Sequence, residues 1–464
     1  MEQVSNYFRS EGIAMKEGHR NMAYKVFTSA LVSLLLPLVS LSGHAAGTLT
    51  LEKAVETALA SNPGLKAADA QIQAAQAGVQ MSSSGFLPKV NLSETYSKTN
   101  NPLMVFGIKL NQERVSTPDF DPALINDPKT TSNYNTRLSV MQPVFNGGKA
   151  YLGVRQAKLN REATIQRRER TRQETVFDVI KAYYGLLLAE KHRTVAHQSL
   201  TTSEASMKLA RARYKAGAVL QSDLLRAKVQ YAEVKEMLAR SENNVEMAKA
   251  ALNFAMGVPQ STTYEIDGML EARHFDTSLD SLLQESLTRR PDLISMNLNR
   301  KNADTGVSQA RTEYLPTLNL MGQADWNSTD LAGDDAKSWA VMAVFQWNLF
   351  DGLVTKSRVR EAIASSDRMR RLEEQTQSAV QLQVRQAYYT LKSSLDRIAV
   401  TASSVQEAEE GLRIVQKRYG VGMTTFVDVL GAENALIRSR TNALQTLYDN
   451  NIAYGELKLA VGTL

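Results

Sequence analysis

Arg213-Tyr214-Lys215-Ala216-Gly217, with Asp223, Leu225 and Ala227 after it, returns as Arg418-Tyr419-Gly420-Val421-Gly422, with Asp428, Leu430 and Ala432. The two copies stand 205 residues apart at every matched position, from Arg213 to Arg418 onward. Each lies inside long, charge-rich sequence of helical periodicity, and each puts glycine where such a helix must turn. Each is therefore expected to be the tip of a long helical hairpin, in a chain built from one unit used twice.

Reading outward from the first tip, Lys149 to Lys215 contains no proline, and glycine only at Gly153 and Gly185. At ~1.5 Å per residue that is a helix of roughly 100 Å, longer than any ordinary globular helix. A return helix is expected from about Asp223 to Met256, closed by Gly257-Val258-Pro259. Further upstream, a short amphipathic helix from Leu51 stops at Ser61-Asn62-Pro63. Asn62 is suited to cap, and Pro63 to start, a second helix running to about Ser83. Leu51, Leu59, Pro63, Leu65 and Leu87-Pro88 recur 228 residues later as Leu279, Leu287, Pro291, Leu293 and Leu315-Pro316. Phe145, Gly147, Ala182-Tyr183-Tyr184 and Gly257 recur at the shorter offset of 205, as Phe350, Gly352, Ala387-Tyr388-Tyr389 and Gly462. The drop of 23 locates an insertion in the proline-rich stretch 100–132, expected to be a loop excursion. The first repeat is thus read as 46–276 and the second as 277–464, interleaved in one fold.

Between the helices the period changes from helical to alternating. Val90, Leu92 and Tyr96 point one way, and Asn91, Ser93, Thr95 and Ser97 the other. Strands are expected at about 88–98, 134–145, 316–326 and 338–349. All three tryptophans, Trp326, Trp339 and Trp347, fall in the second pair. Strands of about ten residues with one apolar face and an aromatic belt suit a bilayer-spanning β-barrel; an ordinary soluble sheet is the competing reading. Four strands cannot close a barrel, which needs about eight, and open edges are not tolerated in lipid. Three chains sharing twelve strands would close one. The expected fold class is mainly α with a small β part: a long helical barrel plus a twelve-stranded transmembrane barrel shared by a homotrimer.

Composition narrows the chemistry. The 464 residues include no cysteine, which removes disulfides, thiol catalysis, zinc-thiolate sites and an acylated cysteine. A net charge of +6 is modest at this length, and the basic run Arg167-Arg168-Glu169-Arg170-Thr171-Arg172 is interleaved with acids. It reads as a solvated helix face, with no nucleic-acid partner. Gly147-Gly148-Lys149 lacks the upstream glycine and the hydroxyl of a phosphate loop, and reads as a strand-to-helix turn. Beyond the N-terminal segment only His192, His197 and His274 remain, so no metal site, cofactor or catalytic activity is expected. Residues 1–45 read as a secretory signal with an N-terminal extension. Lys16, Arg20 and Lys25 precede an apolar run from Val26 to Leu41, then the small residues of Gly43-His44-Ala45.

In this order and doubled spacing, the residues resemble the TolC family of outer-membrane efflux and type I secretion channels across the whole mature chain. The resemblance is carried by Pro63-Gly64-Leu65 and Pro291-Asp292-Leu293, the Leu-Pro strand starts, Phe-Asn-Gly and Phe-Asp-Gly, and the paired tips. It implies a conduit in the outer membrane of a Gram-negative cell, with its helical part in the periplasm. The tips would meet a periplasmic adaptor protein bound to an inner-membrane pump of RND or ABC type. Arg213, Tyr214, Gly217, Leu225, Arg418, Gly422 and Leu430 would dock that adaptor. Asp223, Tyr419, Thr424 and Asp428 would form the entrance, with Tyr419 hydrogen-bonded to Asp223, and in a trimer the clustered carboxylates would be raised in pKa. Asp223 and Asp428 each follow a turn and are equally suited to cap a helix N-terminus, and Tyr214 and Tyr419 to plain packing. Where other members add an arginine and an aspartate to this latch, Thr424 and Gly431 stand here. The rival from another class is a soluble periplasmic coiled-coil adaptor, which would carry a single helical hairpin and no tryptophan-bearing strands.

Overall fold

The computed structural model describes residues 48–333 and 335–464; the expected signal segment lies outside them. The first half runs β1 (Thr48–Leu49), α1 (Leu51–Ser61), α2 (Pro63–Ser83) and β2 (Lys89–Thr99), then α3 (Pro102–Asn111), α4 (Pro122–Asn126) and β3 (Thr131–Phe145). It ends with α5 (Lys149–Lys215) and α6 (Gln221–Met256). After β4 (Glu265–Ile266) come α7 (Leu279–Arg289), α8 (Pro291–Arg311), β5 (Thr317–Ser328), β6 (Ala336–Gln346), α9 (Val354–Gly420) and α10 (Phe426–Val461). Corresponding helices match in length: 11 residues for α1 and α7, 21 for α2 and α8, 67 for α5 and α9, and 36 for α6 and α10.

Local chemistry sets these boundaries. The Asn62 side chain accepts from the Gly64 amide at 2.8 Å ahead of Pro63, which caps α2 as its sequence suggested. Gly147 and Gly148 both take positive φ and turn β3 into α5. The strand expected to reach residue 349 stops at Gln346, leaving Trp347 and Leu349 beyond it. Gln346 pairs with Thr317, and the residue before Thr317 is Pro316, which has no N–H to continue the ladder.

The two halves are interleaved, because α8 packs against both α5 and α9, and α10 against both α9 and α5. One core joins Val179, Tyr183, Leu186, Leu187, Leu252 and Met256 to Ala54 and Ala58. Its counterpart joins Val384, Ala387, Leu391, Leu457 and Val461 to Leu282 and Leu283. From Arg168 on, the basic run on α5 is half-buried and paired rather than solvated, while Arg167 is exposed. Arg168 meets Asp69, Arg170 meets Glu174, and Arg172 meets Glu169 and the Leu464 carbonyl.

The excursion is more ordered than a loop. Asn101 caps α3, Phe106 meets Phe120 edge-on, and Lys109 binds Asp119 at 2.5 Å. Hydrogen bonds from Lys109 and Ser116 hold the Asp119 carboxyl down at about 2, against an ordinary 3.8. A depressed carboxyl stabilises only above its unfolded pKa and loses that contribution as pH falls through its folded one. Amide protection in α3 is therefore expected to hold from neutrality to pH 3.8 and to fall away toward about 2. Exchange mass spectrometry reads this, and Lys109→Met should move the loss to higher pH; an unmoved acid limb would remove the pair's role.

Candidate functional site

The sheet has the order β2-β3-β5-β6, antiparallel throughout, with β2 and β6 as its edges. Residues paired in register share a face, and they sort by polarity. One face carries Val90 and Leu92, Leu138 and Val140, Leu320 and Trp326, and Trp339, Val341 and Phe345. Most of these are exposed, Trp339 and Val341 by 78% and 72%. The other face is a polar ladder at its Asn133 end, where Asn133 donates to Asn327 at 2.9 Å and Arg137 Nε to Asp325 at 2.7 Å, and carries the row Met141, Met321 and Met342 nearer the helices.

Aromatic side chains bracket the apolar face. Half-buried Trp326 stands opposite Lys337, and the Tyr96–Tyr134 ring pair lies beyond it. At the other end, exposed Trp347 donates its Nε1–H to the Tyr314 carbonyl at 3.1 Å. From Lys337 to Trp347 is roughly 33 Å along an extended strand, or about 25 Å at the usual barrel tilt. That is the height of the apolar band on a membrane barrel. Phe86, Phe145, Tyr151, Tyr314 and Phe350, all exposed, widen the inner girdle beyond the three tryptophans singled out from sequence. Their signal was present in the sequence as aromatic residues flanking each strand end.

At the far end of the helices, Gly217 and Gly422 turn the two tips with φ of 70° and 81°. Here the repeat breaks. Tyr214 is 39% exposed, whereas its counterpart Tyr419 is 3% exposed and central to a cluster with Ala210, Ala227, Phe426 and Val429. The Arg213 guanidinium lies over the Tyr419 ring, 4.9 Å from its centroid, and donates to the Tyr419 carbonyl. Arg213, expected to dock a partner, is thus used in tying one hairpin to the other. Tyr214, Gly217, Leu225, Arg418 and Gly422 are exposed, and Leu430 half-buried. Leu220, Val421 and Met423, each more than 70% exposed, were missed by sequence reading. Large apolar residues inside a turn are the signal for them.

The expected Tyr419–Asp223 hydrogen bond does not form: the buried hydroxyl has no hydrogen-bond partner. Burial pushes this phenol above its ordinary range, Arg213 opposes the shift, and Asp223 adds to it. Asp223 occupies the first turn of α6, behind the non-capping Leu220. Asp428 instead forms a capping box with Thr425, accepting from the Thr425 hydroxyl and amide and from the Thr424 hydroxyl at 2.7, 3.0 and 2.6 Å. These bonds hold the Asp428 carboxyl below the usual range within the protomer, in keeping with the capping role open to it from sequence. Sequence reading also passed over Glu433, an acid on the buried stripe of Phe426 and Val429. It accepts from Ser206 at 2.5 Å, and burial pushes it up.

An unpartnered buried hydroxyl costs stability, so Tyr419→Phe should leave the tip as stable or stabilise it by up to about 1 kcal/mol. Exchange at residues 415–430 measures this. A tip loosened by that change would mean the hydroxyl is bonded after all.

The outer membrane efflux protein family model matches residues 54–258 and 282–463. The chain is 25% identical over 455 residues to outer membrane protein TolC of Salmonella enteritidis, covering 93% of this chain and 86% of that one. It is 23% identical over 450 residues to the proteases secretion protein PrtF of Dickeya chrysanthemi, covering 93% and 92%. The solved Campylobacter jejuni CmeC outer membrane channel shares the fold with a TM-score of 0.77 at 19% identity, covering 89% of this chain and 85% of that one.

Proposed function

The chain belongs to the outer membrane efflux protein family and is an outer-membrane channel, and from that premise we propose that three copies build one continuous conduit. Their twelve strands would close a barrel in the lipid, and their helices a tunnel reaching roughly 100 Å into the periplasm. The observation that carries this is the sheet: an apolar outer face, a largely polar inner face, and two edges, β2 and β6, that no strand among the described residues covers. Exposed edge amides and carbonyls in hydrocarbon would each cost several kcal/mol. Pairing β6 of one protomer with β2 of the next satisfies both.

The tips are the natural meeting point with a periplasmic adaptor and, through it, an RND- or ABC-type inner-membrane pump. Leu220, Val421 and Met423, with Tyr214, Leu225 and Arg418, offer the adaptor an apolar surface with a basic rim. Asp223 and Asp428 would ring the entrance threefold, and Thr424 would keep Asp428 ionised. An anionic constriction of this kind favours cations. The soluble-adaptor reading is not favoured by the family or by the two-faced sheet. Relatives named for efflux and for protease secretion support a conduit whose cargo is chosen by the pump.

The test is the native mass of the detergent-extracted protein. A trimer is expected. A monomer that stays in solution without detergent would remove the shared barrel.

A further inference from the structure

Helix α3 lies over the polar, inward face of the sheet. Its buried stripe is Val105, Ile108 and Gln112, spaced three and four apart on one helical face. The side-chain nitrogen of Gln112, a residue only 2% exposed, donates to the Asn133 side chain at 2.8 Å and to the carbonyls of Ser132 and Ser328 at 3.0 and 3.3 Å. Asn133 pairs in register with Ser97 and bonds Asn327, both on the polar row. The helix also packs against β6, whose Ala336 is another buried residue of that row. It therefore sits at the outer mouth, on the lumen side.

A second side of α3 is held by the excursion itself, through Phe106–Phe120 and Lys109–Asp119. The side turned away from the sheet carries Leu103, Gly107 and Leu110, flanked by Met104. Leu103 is 81% exposed, and Met104 and Leu110 are about half exposed. Nothing lies within 4 Å of where a Gly107 β-carbon would stand. An apolar helix face with a glycine at its middle is thus left uncovered in the protomer. Glycine there costs the helix about 0.5–1 kcal/mol against alanine.

Resting on the trimer reading above, we propose that the occupant of this face is the same helix from the other two protomers, so that three α3 helices plug the outer mouth. The dimensions require contact. Twelve tilted strands about 4.8 Å apart form a ring roughly 25 Å across between backbones, and the inward side chains leave a narrower mouth. Three helices, each about 10–12 Å thick with side chains, fill a circle of roughly 22–26 Å. Each α3 is fixed to the wall by Gln112, so the three cannot avoid one another. Leu103 and Leu110 become covered around the axis, and Gly107 lets the backbones approach. The conduit thus carries a barrier at its outer mouth in addition to the periplasmic entrance.

The absence of native cysteine makes single-cysteine variants clean probes. In the trimer, Gly107→Cys and Leu110→Cys are expected to give disulfide-linked dimers on oxidation. Ser93→Cys lies on the inward row, and in whole cells a bulky maleimide-polyethylene glycol reaches it only through the outer mouth. Its labelling should be slow, and severalfold faster when combined with Leu103→Asp and Leu110→Asp, changes at sites already exposed in the protomer. A trimer that gives neither the disulfide nor the acceleration overturns the plug and leaves the conduit standing. A monomeric native mass overturns both.

Discussion

Arg290→Ala is expected to destabilise the helical body by about 3 kcal/mol, the low end of the range for removing one partner of a buried charge pair, because the Asp292 side chain keeps 31% of its surface exposed. The guanidinium is 3% exposed and stands at the start of α8, where the two halves interleave. It grips the Asp292 carboxylate with two nitrogens, at 2.9 and 2.5 Å. It also donates to the Gln383 side chain of α9 at 2.8 Å and to the Ala460 carbonyl of α10 at 3.1 Å. Alanine would strand a carboxylate, an amide oxygen and a helix C-terminal carbonyl together. Lysine would not rescue it, since a point charge cannot reproduce the fork. Gly462 closes the joint from the other side: a β-carbon there would come within 3.1 Å of Arg290 backbone, at a φ of 87°.

The same pair sets an acid limb. Burial alone would raise the Asp292 carboxyl, but hydrogen bonds and charge from Arg290 outweigh it and hold the group below its ordinary 3.8. Its contribution is complete above 3.8 and is lost as pH falls through the depressed value. Thermal unfolding followed by helical circular dichroism should show that loss in the parent and much less of it in Arg290→Ala. A variant within about 1 kcal/mol of the parent, roughly the worth of one ordinary hydrogen bond, would mean that water replaces the arginine.

Arg290 was invisible in the sequence because it is simply the residue before Pro291. Its three partners come from α8, α9 and α10, and only the packed fold brings them together. Periodic features fared differently. Helix lengths, the Asn62 cap and the apolar face of each strand depend on neighbours three, four or two residues away, so the sequence displays them. The tips show where that information ends. Tyr214 and Tyr419 occupy equivalent positions in identical Arg-Tyr contexts, yet one faces solvent and the other fills the gap between hairpins. Asp223 and Asp428 are likewise equivalent, but only Asp428 has threonines before it, where Asp223 has Val219 and Leu220. Sequence symmetry located both tips; the environment that distinguishes them is tertiary.

Phe426→Ala should unfasten the tips without melting the rest. Phe426 opens α10, is 1% exposed, and meets the Tyr419 ring edge-on at 5.5 Å. Its counterpart in the first tip is Gln221, which is exposed, so the aromatic belongs to the seam between hairpins rather than to the repeat. Truncating a buried phenylalanine costs about 3–5 kcal/mol, including the cavity left behind. Here the buried seam is small, Ala210, Ala227, Tyr419 and Val429, with half-buried Met207, Val219, Val415 and Leu430 packed against it and Arg213 across the Tyr419 ring. Between the seam and the core that begins near Leu187, some 23 residues up α5 or about 35 Å by helical rise, the buried apolar side chains thin to Val195, Ala196, Val234 and Leu412. The loss should therefore appear as local opening. Amide protection should fall at 207–229 and 415–430, stay level around Tyr183 and Val384, and be partly restored in Phe426→Leu. If the tips set the resistance of the periplasmic end, the same variant should conduct more in planar bilayers once the outer mouth is freed by Leu103→Asp and Leu110→Asp. Loosened tips with unchanged conductance in that background would place the narrowest point of the conduit elsewhere. Tips that keep their protection would show that the seam is held by contacts other than this ring.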